Sequence, residues 1–267
     1  MGLLGTLLGG TVGFMFGGPF GAIIGGAIGS NIGGGGFGGG AAGPQSPYDR
    51  PGSRQGFRTG ARFNPLQAQQ AFMIALISLA AKVAKADGKV TPEEIKSFDL
   101  FLQNNLRMGA EERKIAARIF NEARDSDIPV EDFARQVREV MGSRRDQLRD
   151  LVTMLMMVAM ADGHLHPEEE RVIREINRHL GLSPNDYDSA KSMFNPAANL
   201  DAAYSMLGVS ASASDADVKK AYRKMAKEYH PDVVANRGMG ADFIKFAEDK
   251  MQRVNQAYDQ IKKERGL

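Results

Sequence analysis

Residues 215–232 read DADVKKAYRKMAKEYHPD, and this stretch decides the fold of the C-terminal part of the chain. Its apolar side chains recur at spacings of three and four, as on one side of an amphipathic helix. They are Val218, Tyr222, Met225, Ala226 and Tyr229. Basic side chains crowd the opposite side and form what we call the basic strip: Lys219, Lys220, Arg223, Lys224 and Lys227. The pattern predicts one helix with an apolar face and a cationic face.

Sequence signals mark both ends of this helix. Ser214 is a predicted N-cap, and two aspartates follow in the first turn, where the helix dipole favours anions. A proline disfavours the helical conformation at the residue before it. Because Pro231 follows the apolar stripe directly, the helix is expected to end at Tyr229 or His230.

The composition of the chain excludes several kinds of site. The 267 residues give room for two or three domains and contain no cysteine. Disulfides, zinc ribbons, iron–sulfur clusters and thiol nucleophiles are therefore excluded. The net charge of +2 is too small to indicate nucleic-acid binding. No phosphate-binding loop or dinucleotide fingerprint occurs, and we expect neither catalytic residues nor a cofactor.

Residues 1–33 predict a membrane anchor. The first 48 residues carry no charged side chain, and glycine recurs at every fourth position among large apolar residues. This glycine row consists of Gly5, Gly9, Gly13, Gly17, Gly21, Gly25, Gly29 and Gly33. On a helix the row follows one slowly drifting face, a small-xxx-small pattern that lets two helices approach closely in lipid. A helix over the whole row would be about 42 Å long, against roughly 30 Å of bilayer core, so it would tilt, extend beyond the lipid or kink at Pro19.

Two other interpretations of residues 1–33 stay open, a cleaved signal peptide and a flexible glycine-rich tail. A signal peptide would have a basic residue before the apolar run and a clear cleavage site, and neither occurs here. Residues 34–65 are predicted to be a flexible basic linker, because glycine, proline and serine cannot bury enough apolar surface to fold. Four arginines in this linker place the C-terminal side in the cytoplasm by the positive-inside rule: Arg50, Arg54, Arg58 and Arg62.

Residues 66–195 predict an all-helical domain with an internal duplication. ADGKVTPEE at residues 86–94 returns as ADGHLHPEE at residues 161–169, an offset of 75 residues. Glycine commonly ends a helix and proline commonly occupies the first turn of the next one. Each copy is thus predicted to be a helix, a turn and a second helix, with Thr91 and Glu94 forming a capping box in the first copy and His166 replacing the threonine in the second.

The paired turns resemble those of the TerB (tellurite-resistance B) family. They also suggest a metal site, because hard cations bind clustered oxygen ligands. The candidate ligands are Asp87, Glu94, Asp162 and Glu169, with His164 or His166 as a further candidate. Their spacing is not that of an EF-hand loop, and each carboxylate can instead accept a backbone amide of its own turn. We therefore favour a structural role and expect no bound metal.

Residues 200–267 carry three motifs in a fixed order. They are Y-x-x-L-G-V at 204–209, K-K-A-Y-R-K-M-A-x-x-Y-H-P-D at 219–232 and Q-x-x-N-x-A-Y at 252–258. Together they resemble the J-domain of the DnaJ family, which implies two antiparallel helices with His230-Pro231-Asp232 in a loop at their tip. Val233-Val234 departs from the basic or polar pair that many family members have there, and this difference is expected to weaken or retune partner contact.

The resemblance implies a co-chaperone that binds a DnaK-type chaperone and stimulates its ATP hydrolysis. The implied partner-binding residues are His230, Pro231, Asp232 and the basic strip. An anchor, a TerB-like domain and a C-terminal J-domain together resemble the DjlA co-chaperones of bacteria, inner-membrane proteins whose domains face the cytoplasm. The glycine row adds the expectation of a homodimer or larger oligomer. The alternative is a TerB-type membrane scaffold or metal-responsive sensor in which the J-domain is subordinate.

Overall fold

The computed structural model describes residues 18–29, 65–142, 144–161, 163–194, 200–236 and 243–266. Every regular element in these ranges is a helix, which confirms the predicted all-α class. The helices are α1 (Gly18–Gly29), α2 (Pro65–Ala84), α3 (Pro92–Asn104), α4 (Ala110–Asp125), α5 (Val130–Met141), α6 (Arg145–Ala159), α7 (Pro167–His179), α8 (Pro184–Ser192), α9 (Leu200–Leu207), α10 (Asp215–Glu228), α11 (Pro231–Asn236) and α12 (Ile244–Arg265).

The predicted duplication is visible in the helix boundaries. Helices α3 and α7 each have 13 residues and start 75 positions apart, and α2 and α6 end at Ala84 and Ala159 with the same offset. The turn glycines Gly88 and Gly163 have φ of +95° and +91°. Residues with a Cβ rarely adopt this left-handed backbone conformation, so glycine is required at both turns.

Helix α2 forms the centre of the helical bundle in residues 66–195. It packs against α4, α5 and α6. Its completely buried side chains are Met73, Leu76, Ile77, Ser78, Leu79, Ala80 and Ala81. Near the start of α2, Phe72 meets Phe243 edge to face with ring centroids 5.2 Å apart, which joins the core of the bundle to that of the C-terminal helices. The two regions therefore share one continuous apolar core.

Helix α1 lies on the bundle, against α4 and α5. Its buried side chains are Phe20, Ile23, Ile24 and Ala27. The amide of Phe20 donates to Gln136 Oε1 at 2.9 Å, so a side chain of α5 satisfies one of the free amides at the start of α1. Gly25, from the glycine row, is exposed and has nothing within 4 Å of the position that a Cβ would take.

The predicted membrane anchor is only partly covered by these ranges. Gly5, Gly9, Gly13, Gly17 and Gly33 lie outside the described residues, as does most of the linker. Pro19 lies in the first turn of α1, a position that tolerates proline. Within the described ranges, no helix has both the length and the hydropathy needed to span a bilayer. The anchor and its self-association therefore stay predictions.

Helices α9 to α12 form the C-terminal unit. Helices α10 and α12 pair, and α9 packs against both α12 and α8. Helix α10 ends at Glu228, with Tyr229 as its C-cap, as Pro231 requires. The loop predicted from His230 through Gly240 is wrong for residues 231–236, which form the short helix α11, and its remainder lies outside the described residues. The carbonyl of His230 accepts the amides of Val233 and Val234, and burial of the Val234 side chain holds this turn against the core.

Candidate functional site at the end of the basic helix

The basic strip lies on the solvent side of α10. All five of its side chains are exposed: Lys219, Lys220, Arg223, Lys224 and Lys227. Val218, Met225 and Tyr229 are buried on the other side, while Tyr222 is half-buried. Ser214 caps the helix by accepting the amide of Asp217 at 3.2 Å, as predicted. The amphipathic pattern thus holds one face of α10 in the core and presents a row of cations to the solvent.

The His230-Pro231-Asp232 motif follows α10 directly and is exposed. The side chains of His230 and Asp232 are 59% and 85% accessible. The amide of Asp232 donates to His230 Nδ1 at 3.3 Å. In the neutral imidazole this bond makes Nδ1 the acceptor and leaves Nε2–H as a donor. The motif therefore offers a partner one donor and one carboxylate, both free of the protein core.

The departure at Val233-Val234 has a structural role. Val234 is 3% exposed and belongs to the core, and Val233 is half-buried. These side chains fix the turn after the motif from the inside. The surface next to His230 is consequently less charged than a basic pair would make it.

An arginine outside the three sequence motifs connects the helices at the end of the pair that lies away from His230. Arg265, in the last turn of α12, donates to the hydroxyl of Tyr204 at 2.5 Å and to the carboxylate of Asp215 at 2.9 Å. It also donates to the carbonyls of Ala211 and Ala213, both at 2.7 Å. One side chain thus joins α9, the loop before α10, and α12.

A buried polar cluster joins the C-terminal unit to α6, and none of the sequence motifs indicates it. Asp150 Oδ1 accepts the hydroxyl of Tyr229 at 2.7 Å and Lys250 Nζ at 2.8 Å. The three residues are 2%, 2% and 5% exposed. The Lys250 ammonium also lies 4.5 Å from the centre of the Tyr229 ring, a cation–π distance. The one available signal was that Lys250 interrupts the apolar face of α12.

The electrostatic environment of this cluster keeps Tyr229 protonated. Burial and the neighbouring carboxylates of Asp150 and Glu228 raise the pKa of the Tyr229 hydroxyl well above its usual 10.0. Glu228 itself pairs with Arg149, whose Nη2 lies 2.7 Å from Glu228 Oε1. Two successive residues at the end of α10 are therefore held by two successive residues of α6.

The acidic turns of the duplication are brought to one cavity of about 260 Å³, lined among others by Asp87, Glu94, His166 and Glu169. Each of these three carboxylates also has a local partner. Glu94 Oε2 accepts the amide of Thr91 at 2.6 Å, Glu169 Oε2 accepts that of His166 at 3.1 Å, and Asp87 Oδ1 accepts that of Lys89 at 2.9 Å. Asp162 lies outside the described residues, and His164 does not line the cavity. In the part of the chain that the structure describes, no group of three or more such ligands is arranged to hold a metal ion.

The similarity to known protein families divides the chain into the same two regions. The model of the TerB family, "Tellurite resistance protein TerB", matches residues 73–192, and the DnaJ domain model matches residues 202–265. Co-chaperone protein DjlA of Vibrio cholerae is 32% identical over 234 residues, covering 76% of this chain and 82% of the relative. The protein of that name from Aliivibrio fischeri is 30% identical, and the match covers 75% of this chain and 81% of the relative. The one from Coxiella burnetii is 28% identical, and the match covers 78% of this chain and 82% of the relative. No solved structure shows significant similarity to the chain.

The paired helices, the exposed His-Pro-Asp motif and the matched DnaJ domain define a J-domain protein. We call residues 200–267 the J-domain and residues 66–195 the TerB-like domain. Because relatives at least 30% identical are covered over four-fifths of their length, the chain belongs to the DjlA family of co-chaperones. Its function is thus that of a J-domain co-chaperone.

Proposed function

We propose that this chain recruits a DnaK-type chaperone through its J-domain and stimulates the ATP hydrolysis of that chaperone. The observation that carries the proposal is the shared exposure of the basic strip and of His230-Pro231-Asp232 at the end of one helix. The opposite face of α10, with Val218, Met225 and Tyr229, is buried in the core. The cationic face and the motif are thus both accessible to a partner.

The two parts of this surface have different physical roles in the proposal. Five exposed cations steer an acidic partner surface toward α10, which raises the association rate and makes it sensitive to salt. His230 and Asp232 then form directional hydrogen bonds with the partner, and Pro231 limits the conformations of the turn between them. These contacts favour the hydrolysis-competent state of the chaperone, because a ligand shifts an equilibrium toward the state that it binds better.

The proposal also places the chain at the bacterial inner membrane, with the TerB-like domain and J-domain in the cytoplasm. It is supported by the uncharged first 48 residues and by the arginines that follow them. The glycine row supports self-association of the anchor in lipid, giving a homodimer or a larger oligomer. The stimulated chaperone would then act close to the membrane surface.

The substitution His230→Gln tests the proposal in the full chain reconstituted into lipid vesicles. The His230 side chain is exposed, so the variant is expected to fold as the wild type does. We expect stimulation of ATP hydrolysis by a DnaK-type chaperone to be lost. His179→Gln, the same substitution in the last turn of α7, is the matched control and should keep full stimulation. Full stimulation by His230→Gln would refute the proposal.

A further inference from the structure

Tyr229 connects the TerB-like domain to the partner-binding motif. It is the residue before His230, and its hydroxyl donates to Asp150 of α6 rather than to any group of the J-domain. Lys250 of α12 donates to the same carboxylate oxygen. One side chain of the TerB-like domain therefore holds both helices of the J-domain pair next to the motif.

The burial of this cluster makes the position of the motif depend on Asp150. A buried carboxylate must keep its hydrogen-bond and ionic partners, because leaving it without them is costly. Tyr229 is therefore not free to rotate away, and it is also the C-cap of α10. The carbonyl of the next residue, His230, accepts the two amides that start α11. A change in the position of Tyr229 is therefore transmitted directly to His230 and to this turn.

The basic strip is independent of this arrangement. Its five side chains are exposed on the face of α10 away from the core. The hydrogen bonds of Asp150 to the J-domain go to Tyr229 and Lys250, which are not part of the strip. Capture of an acidic partner and placement of the motif thus rest on different residues. The two functions can be separated by mutation.

We propose that Asp150 is a positioning residue for the His-Pro-Asp motif, acting through Tyr229, so that the TerB-like domain sets how efficiently a bound chaperone is stimulated. The proposal rests on the proposed function. It predicts that disturbing the cluster lowers the maximal stimulation and leaves the affinity nearly unchanged. A purely structural role predicts the reverse, since partial unfolding lowers the concentration of competent co-chaperone but not the rate at saturation.

Tyr229→Phe is the primary variant, because it removes one hydroxyl and keeps the ring and the Asp150–Lys250 pair. Asp150→Asn is the second variant, and it leaves Lys250 buried without an anionic partner. The full chain in lipid vesicles is titrated against a DnaK-type chaperone, and ATP hydrolysis is followed. For both variants we expect the plateau to fall by about threefold or more while the half-maximal concentration changes by less than about twofold. Lys245→Met removes a different interdomain hydrogen bond, to the carbonyl of Asn104, and should leave the plateau unchanged.

A second measurement on the free chain separates this proposal from the proposed function. The amides of Val233 and Val234 are bonded to the carbonyl of His230 and report the order of the motif. In Tyr229→Phe their hydrogen exchange should be about fivefold faster, as expected when one hydrogen bond is lost from a locally cooperative segment. If the wild type gives no stimulation, the proposed function fails and faster exchange still supports positioning by Asp150. Unchanged exchange, or a Tyr229→Phe plateau equal to that of the wild type, overturns the inference.

Discussion

The ring of Tyr222 stacks on the ring of Tyr258 with centroids 4.0 Å apart and planes within 9° of parallel. The hydroxyl of Tyr222 also donates to Asn255 at 3.1 Å. Tyr222 belongs to the motif on α10, and the other two residues belong to the motif on α12. The two motifs occur together in the sequence because their side chains meet between the paired helices.

This stack should contribute measurably to the stability of the J-domain. Replacing Tyr222 and Tyr258 by leucine, singly and together, gives a double-mutant cycle for the free energy of unfolding. We expect a coupling energy of about 0.5–1.5 kcal/mol between the two rings, the usual value for an aromatic pair beyond its buried area. Urea unfolding of the four proteins measures it. Additive effects within about 0.3 kcal/mol would show that the two rings merely lie next to each other.

The charge of the basic strip should govern how tightly the partner binds. Arg223→Glu reverses one exposed charge and is expected to raise the half-maximal concentration for ATPase stimulation about tenfold at low salt. The difference from wild type should shrink as salt rises, because exposed charges are screened. The titration is repeated at two ionic strengths.

Lys263→Glu is the matched control, since it makes the same change of net charge. Lys263 is exposed in the last turn of α12, and the bond between Arg265 and Asp215 places that end of the helix beside the start of α10, away from the motif. An equal loss for both variants would indicate a general charge effect rather than a binding face.

The glycine row should mediate self-association in lipid. Gly25→Ile adds a large side chain to the exposed side of α1, where the protein leaves open space. We expect it to weaken oligomers of the full chain in vesicles, measured by crosslinking or energy transfer, because helices in lipid then cannot approach closely. Ile23→Ala changes the opposite, buried side and should leave the oligomers intact. Oligomers unaffected by Gly25→Ile would rule out this face as the contact.

Glu170 should make the stability of the TerB-like domain depend on pH. Lys191 Nζ and Arg174 Nη2 donate to its carboxylate at 2.8 and 2.7 Å, and these bonds lower the pKa of Glu170 from 4.5 to about 2. Since the folded-state pKa is the lower one, the ionised carboxylate stabilises the fold fully above pH 4.5. That contribution is lost as pH falls from 4.5 toward 2.

The variant Glu170→Gln isolates this contribution. At pH 7 it should lower the free energy of unfolding by about 1 kcal/mol, a modest value because the side chain is partly exposed to screening solvent. The difference from wild type should vanish as the pH approaches 2. Urea unfolding at several pH values measures both. Glu175→Gln, at a residue 3.8 Å from Arg178 Nη2, is a control expected to lower the free energy of unfolding at pH 7 by less than Glu170→Gln does.

Local signals in the sequence were enough to place most helices. The Thr91 capping box, Pro92 and Pro167 in first turns, and Pro231 after α10 each fix one helix end by backbone chemistry that involves only near neighbours. The apolar stripe of α10 likewise predicted which side is buried. These features are confirmed, and they could be predicted because no tertiary contact is needed to specify them.

The interdomain cluster could not be predicted in the same way. Asp150 and Lys250 are 100 positions apart, and each alone reads as an ordinary charged residue of a helix. Their pairing depends on how α6 and α12 cross, which no periodicity encodes. The docking of α1 was missed for a related reason, since its apolar side chains fit lipid and the surface of α4 and α5 equally well by composition.

Because Lys250 is buried against Asp150, the J-domain of this chain cannot be replaced freely by the J-domain of another protein. A J-domain transplanted from elsewhere that carries the Tyr-His-Pro-Asp sequence would still present a tyrosine to Asp150. Unless it also carried a lysine at the equivalent place on its last helix, the Asp150 carboxylate would be enclosed without its cation. The two domains of this chain have therefore become co-dependent, and swapping one would call for a compensating change in the other.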